Sequence, residues 1–286
     1  MRSEADVRIG GFQIAFLVFA VIFLAYPLQK YIGPLLGLEG KGPLVSRIFI
    51  FVPLALLLAL VPQFRRFCIE QLRTPIADGR GGEVALVTAT KALLVPLAVG
   101  GAIVLWHWGL GGEMALARRL GQQRSPEAEL AWALTVGGWI FSFIVAGAIG
   151  PIIEELLFRG LLFRAWEARW GWVSSMLATS ALFAAYHPVP FSAFVSAIIF
   201  VALYRRTGSL WSSIVAHGVG NMLLSPLLFG RFFFQTVGKE TGEIGLWPVH
   251  LAALALLLVA VPLYVWMARD ARLPEPEEPA TEIRCA

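Results

Sequence analysis

Long apolar runs separated by short polar segments recur along the whole chain. A helix crossing roughly 30 Å of hydrocarbon needs about 20 such residues. Runs approaching or exceeding that length stand at 12–29, 45–63, 84–107 and 131–158, then at 173–187, 191–204, 210–229 and 248–267. Only helices and closed barrels satisfy the backbone inside lipid. The pattern therefore predicts an all-α, polytopic membrane protein of about eight transmembrane helices, with any active site inside the bundle. The fifth and sixth runs are short and joined by Pro188-Val189-Pro190, so they are expected to pack within the bundle rather than span alone. The first run follows Arg2 and Arg8 and has no small-residue cleavage site after it. It reads as a retained anchor rather than a signal peptide.

The intervening segments carry recognisable stops and starts. Residues 64–83 hold basic side chains, a Thr74-Pro75 break and Gly79, Gly81 and Gly82, which suits a cytoplasmic loop with a surface helix. Residues 109–130 read as a polar loop that re-enters a helix at Ser125-Pro126-Glu127, a serine cap followed by proline at the first helical position. The tail from Leu273 is rich in proline and glutamate and is expected to be disordered. It ends Arg-Cys-Ala, without a prenylation box.

Composition sharpens this picture. Of 286 residues 58% are apolar and 15% charged, with a mean hydropathy of +0.73, whereas soluble domains carry about 45–50% and about 25%. Cys68 and Cys285 are the two cysteines, too few for a disulfide framework and without CxxC spacing. The net charge of +4 is spread over short loops, which argues for membrane topology rather than a nucleic-acid surface. With the N-terminus inside, the inner segments hold 13 basic residues, among them Arg65, Arg66, Arg73, Arg80, Arg205 and Arg206, against 8 outside. This bias favours both termini in the cytoplasm. Lys91 and Arg159 are left within apolar sequence; Lys91 is expected to snorkel to the surface.

Ionisable groups inside a membrane are functional candidates by default, and here they gather in one third of the chain. Glu154, Glu155 and Arg159 share one helix, followed by Phe183 and His187, then His217 and Asn221. Glu155 and Arg159 are four apart, glutamate first, the favourable order for an ion pair. Glu154 is turned about 100° away, so one carboxylate can be neutralised by Arg159 while the other faces a cavity. His217 and Asn221 are also four apart and can address one point as donors. A turn is expected at Trp170-Gly171, which Glu154 precedes by 17 residues and His187 follows by 16. Both then lie about 24–26 Å from that turn on antiparallel helices. His217 follows the turn at Gly208 by 9 residues, so the three motifs can converge in the cytoplasmic half.

Structural readings stand beside these. The two glutamates suit an ion-pair cluster or a transporter's proton relay, His187 a helix-end bond to a carbonyl, and His217 with Asn221 interhelical polar glue. Arg159 fits a structural role as well as a functional one. His107 and His250 lie at span ends beside tryptophans and are left out of the site. Ser142, Ala146 and Gly150 read as a close-packing face, and Gly150-Pro151 as a kink before the glutamates.

The motifs Glu154-Glu155-xxx-Arg159, Phe183-xxx-His187 and His217-xxx-Asn221, in this order on apolar helices, resemble the CPBP family of intramembrane proteases, which includes CAAX proteases and bacteriocin-processing enzymes. Arg206-Thr-Gly-Ser-Leu-Trp211 also resembles the family. The resemblance covers about residues 131–225. It implies a division into N-terminal helices and loops (1–130), a catalytic core (131–229), a C-terminal transmembrane helix (230–272) and a tail (273–286). It also implies an enzyme of the bacterial plasma membrane that cleaves a peptide bond of a membrane-anchored protein or peptide. Glu154 with His187 would activate water, and His217 with Asn221 would stabilise the oxyanion. Glu155, Arg159 and Phe183 would support them. No cofactor is required by these motifs; a divalent metal such as zinc, held by Glu154, His187 and His217, is the alternative left open, although HExxH is absent. A second class of function is also open, a non-catalytic immunity or transporter-like protein that binds through the same pocket.

Overall fold

The computed structural model describes residues 62–109, 142–185, 189–223 and 247–273, together with Ile140 and His187. The apolar runs 12–29 and 45–61, the loop 110–130 and the tail beyond Leu273 lie outside these residues. Every regular element described is helical. Among the described residues two helices, Gly81–Trp106 and Trp247–Met267, are long and apolar enough to cross a membrane; the count of eight spans rests on sequence.

The first described element, α1 (Pro62–Arg73), is the short helix expected in the basic loop. A continuous rod follows, built of α2 (Gly81–Ala89), a wide π turn (Thr90–Leu94) and α3 (Val95–Gly109). The second rod begins with a π segment (Ser142–Ile149) and continues through α4 (Gly150–Glu155) and a second π segment (Leu156–Phe163) into the first turns of α5 (Arg164–Ala185), which Gly171 divides into two helices. Pro151 stands in the first turn of α4, where the wide turns give way to α geometry. Two π segments of eight residues each flank the α turn that carries Glu154 and Glu155. Gly171 has φ +73° and ψ 164°, a conformation only glycine adopts readily, and it reverses the chain where the hairpin spacing requires. Pro190 opens α6 (Pro190–Thr207), and Gly208, at φ +68°, closes it. Then come α7 (Leu210–Leu223) and α8 (Trp247–Met267).

Helix α6 sits at the centre. One of its faces, with Ala197, Ile198, Val201 and Tyr204, joins the core formed by Leu156–Phe163 and Phe183. Its other face, with Ile199, Phe200 and Leu203, joins Val84, Val87, Val95 and Leu257. A helix apolar all round and buried all round is an interior helix, as expected for the short sixth run. By contrast α8 leaves Leu256, Leu258, Val259 and Leu263 exposed, an apolar face suited to lipid.

Polar pins close the end of the bundle that carries the arginines. Glu83 accepts hydrogen bonds from Arg80, Arg206 and Tyr264, tying α2, α6 and α8 together. Arg205 binds Glu167 and the Ala271 carbonyl. Trp211 donates to the Leu72 carbonyl at 2.9 Å and Ser209 to that of Thr74 at 2.7 Å, so the Thr-Gly-Ser-Leu-Trp turn anchors α1. His250 stands at the span end expected of it, in the first turn of α8; it is 1% exposed, and its Nδ1 donates to the Leu97 carbonyl at 2.9 Å. Gly100 makes this possible, since a Cβ there would come within 2.2 Å of the ring.

Candidate active site

Three helices bring the sequence motifs to one place. Glu154 and Glu155 end α4, His187 follows α5, and His217 and Asn221 lie one turn apart on α7. Glu155 and Arg159 form the expected pair, with Nη1 to Oε1 at 3.0 Å, and both side chains are almost fully buried. The guanidinium also donates to the Ala197 carbonyl at 3.3 Å and lies over the rings of Phe183 and Phe200, 4.7 and 5.4 Å from their centroids. A buried charge needs such partners on every side.

Glu154 has a different environment. Its Oε2 lies 3.6 Å from Nε2 of His217 and 4.0 Å from Nε2 of His187. Its side chain is 16% exposed and that of His187 is 24% exposed, against 0% for Glu155. The two adjacent carboxylates thus divide as their 100° separation requires: Glu155 faces the interior and Glu154 an accessible pocket. Phe183 walls this pocket, its ring centroid 4.1 Å from that of His187 and 5.9 Å from that of His217.

The structural reading of each histidine also holds, but on one nitrogen only. Nδ1 of His187 lies 2.7 Å from the Phe183 carbonyl, which can only accept, so this nitrogen carries the proton. Nδ1 of His217 lies 2.9 Å from Oε1 of Glu155, which is already paired with Arg159. In each ring Nε2 is turned toward Glu154. Phe200 stacks on His217 with centroids 5.1 Å apart and planes at 24°, which fixes the ring.

Asn221 does not simply point at the pocket beside His217. Its Nδ2 donates to the Ala146 carbonyl at 2.8 Å. In the π segment Ser142–Ile149, the donor to that carbonyl would come from residue 151, which is proline and has no N–H. Asn221 supplies the missing donor. The other end of the carboxamide, Oδ1, accepts from Nζ of Lys91.

Lys91 is therefore a correction. It does not snorkel: it is 5% exposed and also donates to the His217 carbonyl at 3.0 Å. The signal that would have found it is the one used for Glu154, an ionisable residue in mid-span that selection against its insertion cost would otherwise remove.

Two imidazoles and a carboxylate are zinc ligands by type. A tetrahedral site with bonds of about 2.0 Å sets its ligand atoms about 3.3 Å apart, and the separations here are 3.6 and 4.0 Å. Among the described residues, no three His, Cys, Asp or Glu side chains close around a point at ligand distance. As placed, the trio does not fit a metal ion.

Residues 136–223 match the family model described as "Type II CAAX prenyl endopeptidase Rce1-like". Among curated proteins, the chain is similar to "Putative membrane peptidase YdiL" of Bacillus subtilis (strain 168). The two are 25% identical over 191 residues, which is 64% of this chain and 69% of the relative. No solved structure matches.

Proposed function

From the premise that this chain carries a CAAX protease family domain over residues 136–223, we propose that it is an intramembrane endopeptidase of the glutamate type. The observation that carries the reading is the position of the Glu154 carboxylate, between the Nε2 atoms of two histidines at 3.6 and 4.0 Å. A lone structural ion pair needs one glutamate, and Glu155 already serves Arg159.

In this reading a water sits between Glu154 and His187. Its oxygen attacks the scissile carbonyl carbon while Glu154 takes one of its protons. Negative charge then develops on the carbonyl oxygen. His217 shares the proton at Nδ1 with Glu155 and donates its other hydrogen from Nε2. Asn221 uses one amide hydrogen on Ala146 and offers the other, so two donors meet the oxyanion. When the C–N bond breaks, the proton held by Glu154 passes to the leaving nitrogen. No metal takes part in these steps.

The substrate in this proposal is a membrane-anchored protein or peptide cut near the membrane surface, in the manner of CAAX processing. Both termini lie in the cytoplasm, following the excess of basic residues in the inner segments. The test compares protein termini in membranes of the native host expressing wild type or Glu154→Gln at matched levels. New termini that disappear in the variant support the proposal and identify the substrate. Identical termini in both would sink it and leave the pocket to binding.

A further inference from the structure

We propose that Lys91, which lies outside the matched domain, is a positioning residue for the reaction: anchored on the His217 carbonyl of α7, it holds the Asn221 carboxamide in the geometry that stabilises the oxyanion. The inference rests on the protease reading above and extends it to a helix that none of the motifs covers.

Three observations carry it. First, among the described residues Lys91 places both of its side-chain hydrogen bonds on α7: Nζ donates to the His217 carbonyl at 3.0 Å and to Oδ1 of Asn221. These two residues are the proposed oxyanion donors. Second, the contact leaves no ambiguity in the amide. An ammonium only donates and a carbonyl only accepts, so Lys91 at one end and Ala146 at the other fix which atom of Asn221 is the nitrogen. Without the lysine, Oδ1 would be left to seek another donor, and the carboxamide could swing with it. Third, the fold makes room for this side chain. Lys91 sits in the π turn Thr90–Leu94, and a Cβ at Gly220 would come within 2.6 Å of Lys91 Cδ. Its ammonium also lies 5.9 Å from the centroid of Phe200, the ring stacked on His217.

Charge points the same way. Glu154 and Glu155 bring two carboxylates into the bundle, and Arg159 and Lys91 bring two cations, both within electrostatic reach of both acids. Arg159 touches Glu155, whereas Lys91 reaches the pocket through α7.

The test measures the initial rate at which Glu154-dependent termini appear in native-host membranes. It compares wild type, Lys91→Met, Asn221→Ala and the double variant at matched accumulation. Lys91→Met is expected to slow cleavage by roughly ten- to a hundred-fold, the scale of a misplaced group. Because the lysine acts through Asn221, the double variant should be no slower than Asn221→Ala alone. A merely structural lysine would instead add its own loss. Should Lys91→Met fail to accumulate, Gly220→Ala displaces the lysine stem while keeping its charge and should bring the same loss. A rate within about twofold of wild type in either single Lys91→Met or Gly220→Ala, or losses that multiply in the double variant, would overturn the proposal. Termini that do not depend on Glu154 at all would overturn the protease reading, and this inference with it.

Discussion

Oε1 of Glu155 is hydrogen-bonded to Nδ1 of His217 at 2.9 Å, and Arg159 meets the same oxygen at 3.0 Å. The acid next in sequence, Glu154, meets the opposite nitrogen of the same ring at 3.6 Å. Two neighbouring carboxylates therefore hold one imidazole from both sides, one from the dry interior and one from the pocket. Adjacent residues on a helix cannot share a direction, and the fold turns that restriction into two separate duties.

Those duties should separate in mutants. Glu155→Ala leaves Arg159 buried without its carboxylate, a loss of about 3–5 kcal/mol for an uncompensated internal charge. Glu154→Gln leaves packing nearly intact at a partly exposed position and is expected to change stability by less than about 1 kcal/mol. Thermal melting in detergent, read beside cleavage, checks both: Glu154→Gln should melt like wild type while inactive, and Glu155→Ala should melt early. A reversed order would mean that Glu154 is the structural acid.

Stringent chelation is expected to leave cleavage unchanged. The nearest set of ligand types, Glu154, His187 and His217, is spread wider than a tetrahedral zinc site. The measurement is the rate of appearance of Glu154-dependent termini after treatment with a strong chelator and its removal. Lost activity restored by added zinc would require the three side chains to close around an ion and would replace the glutamate-type chemistry.

The parts of this site that were legible in the sequence are those set by helical geometry and chain length. The pairing of Glu155 with Arg159 follows from four-residue spacing, and the level placement of Glu154 and His187 from the turn at Gly171. Lys91 was not legible in the same way. Its partner His217 is 126 residues away, and an apolar helix alone does not say whether a lysine turns to the headgroups or to a neighbour. The bond of His250 to Leu97 was equally hidden, since it depends on the close approach at Gly100. The carboxamide of Asn221 was legible as a donor but not as the partner of Ala146, because the missing bond at Pro151 arises only in a π segment.

Two glycines in the contact between α7 and the π segment should differ sharply in tolerance. A Cβ on Gly218 would stand 2.1 Å from the Gly147 carbonyl oxygen, which is backbone and cannot turn aside. A Cβ on Gly147 would meet the side chain of Met222, which can rearrange. Gly218→Ala is expected to cost about 1–3 kcal/mol, and more if the helices are driven apart, while Gly147→Ala should cost clearly less. Melting of the two variants in detergent decides this; equal losses would mean that Met222 is locked in place.

Cys68 offers a measure of folding that is independent of activity. It lies on the inner face of α1, 4% exposed, and burial pushes its thiol up from 9.0 to about 12. The thiolate is the nucleophile, so at pH 8 only about one folded molecule in 10⁴ presents it. In a Cys285→Ser background, a maleimide should label the native protein slowly and the denatured protein at once. A thiol raised in the folded state contributes its stabilisation fully below the unfolded value near 9.0 and loses it as pH rises toward about 12. Native labelling should therefore accelerate steeply across that range, ahead of any change in helix content. Fast labelling of native protein at pH 8 would show that α1 leaves its seat against the Leu156–Phe163 core.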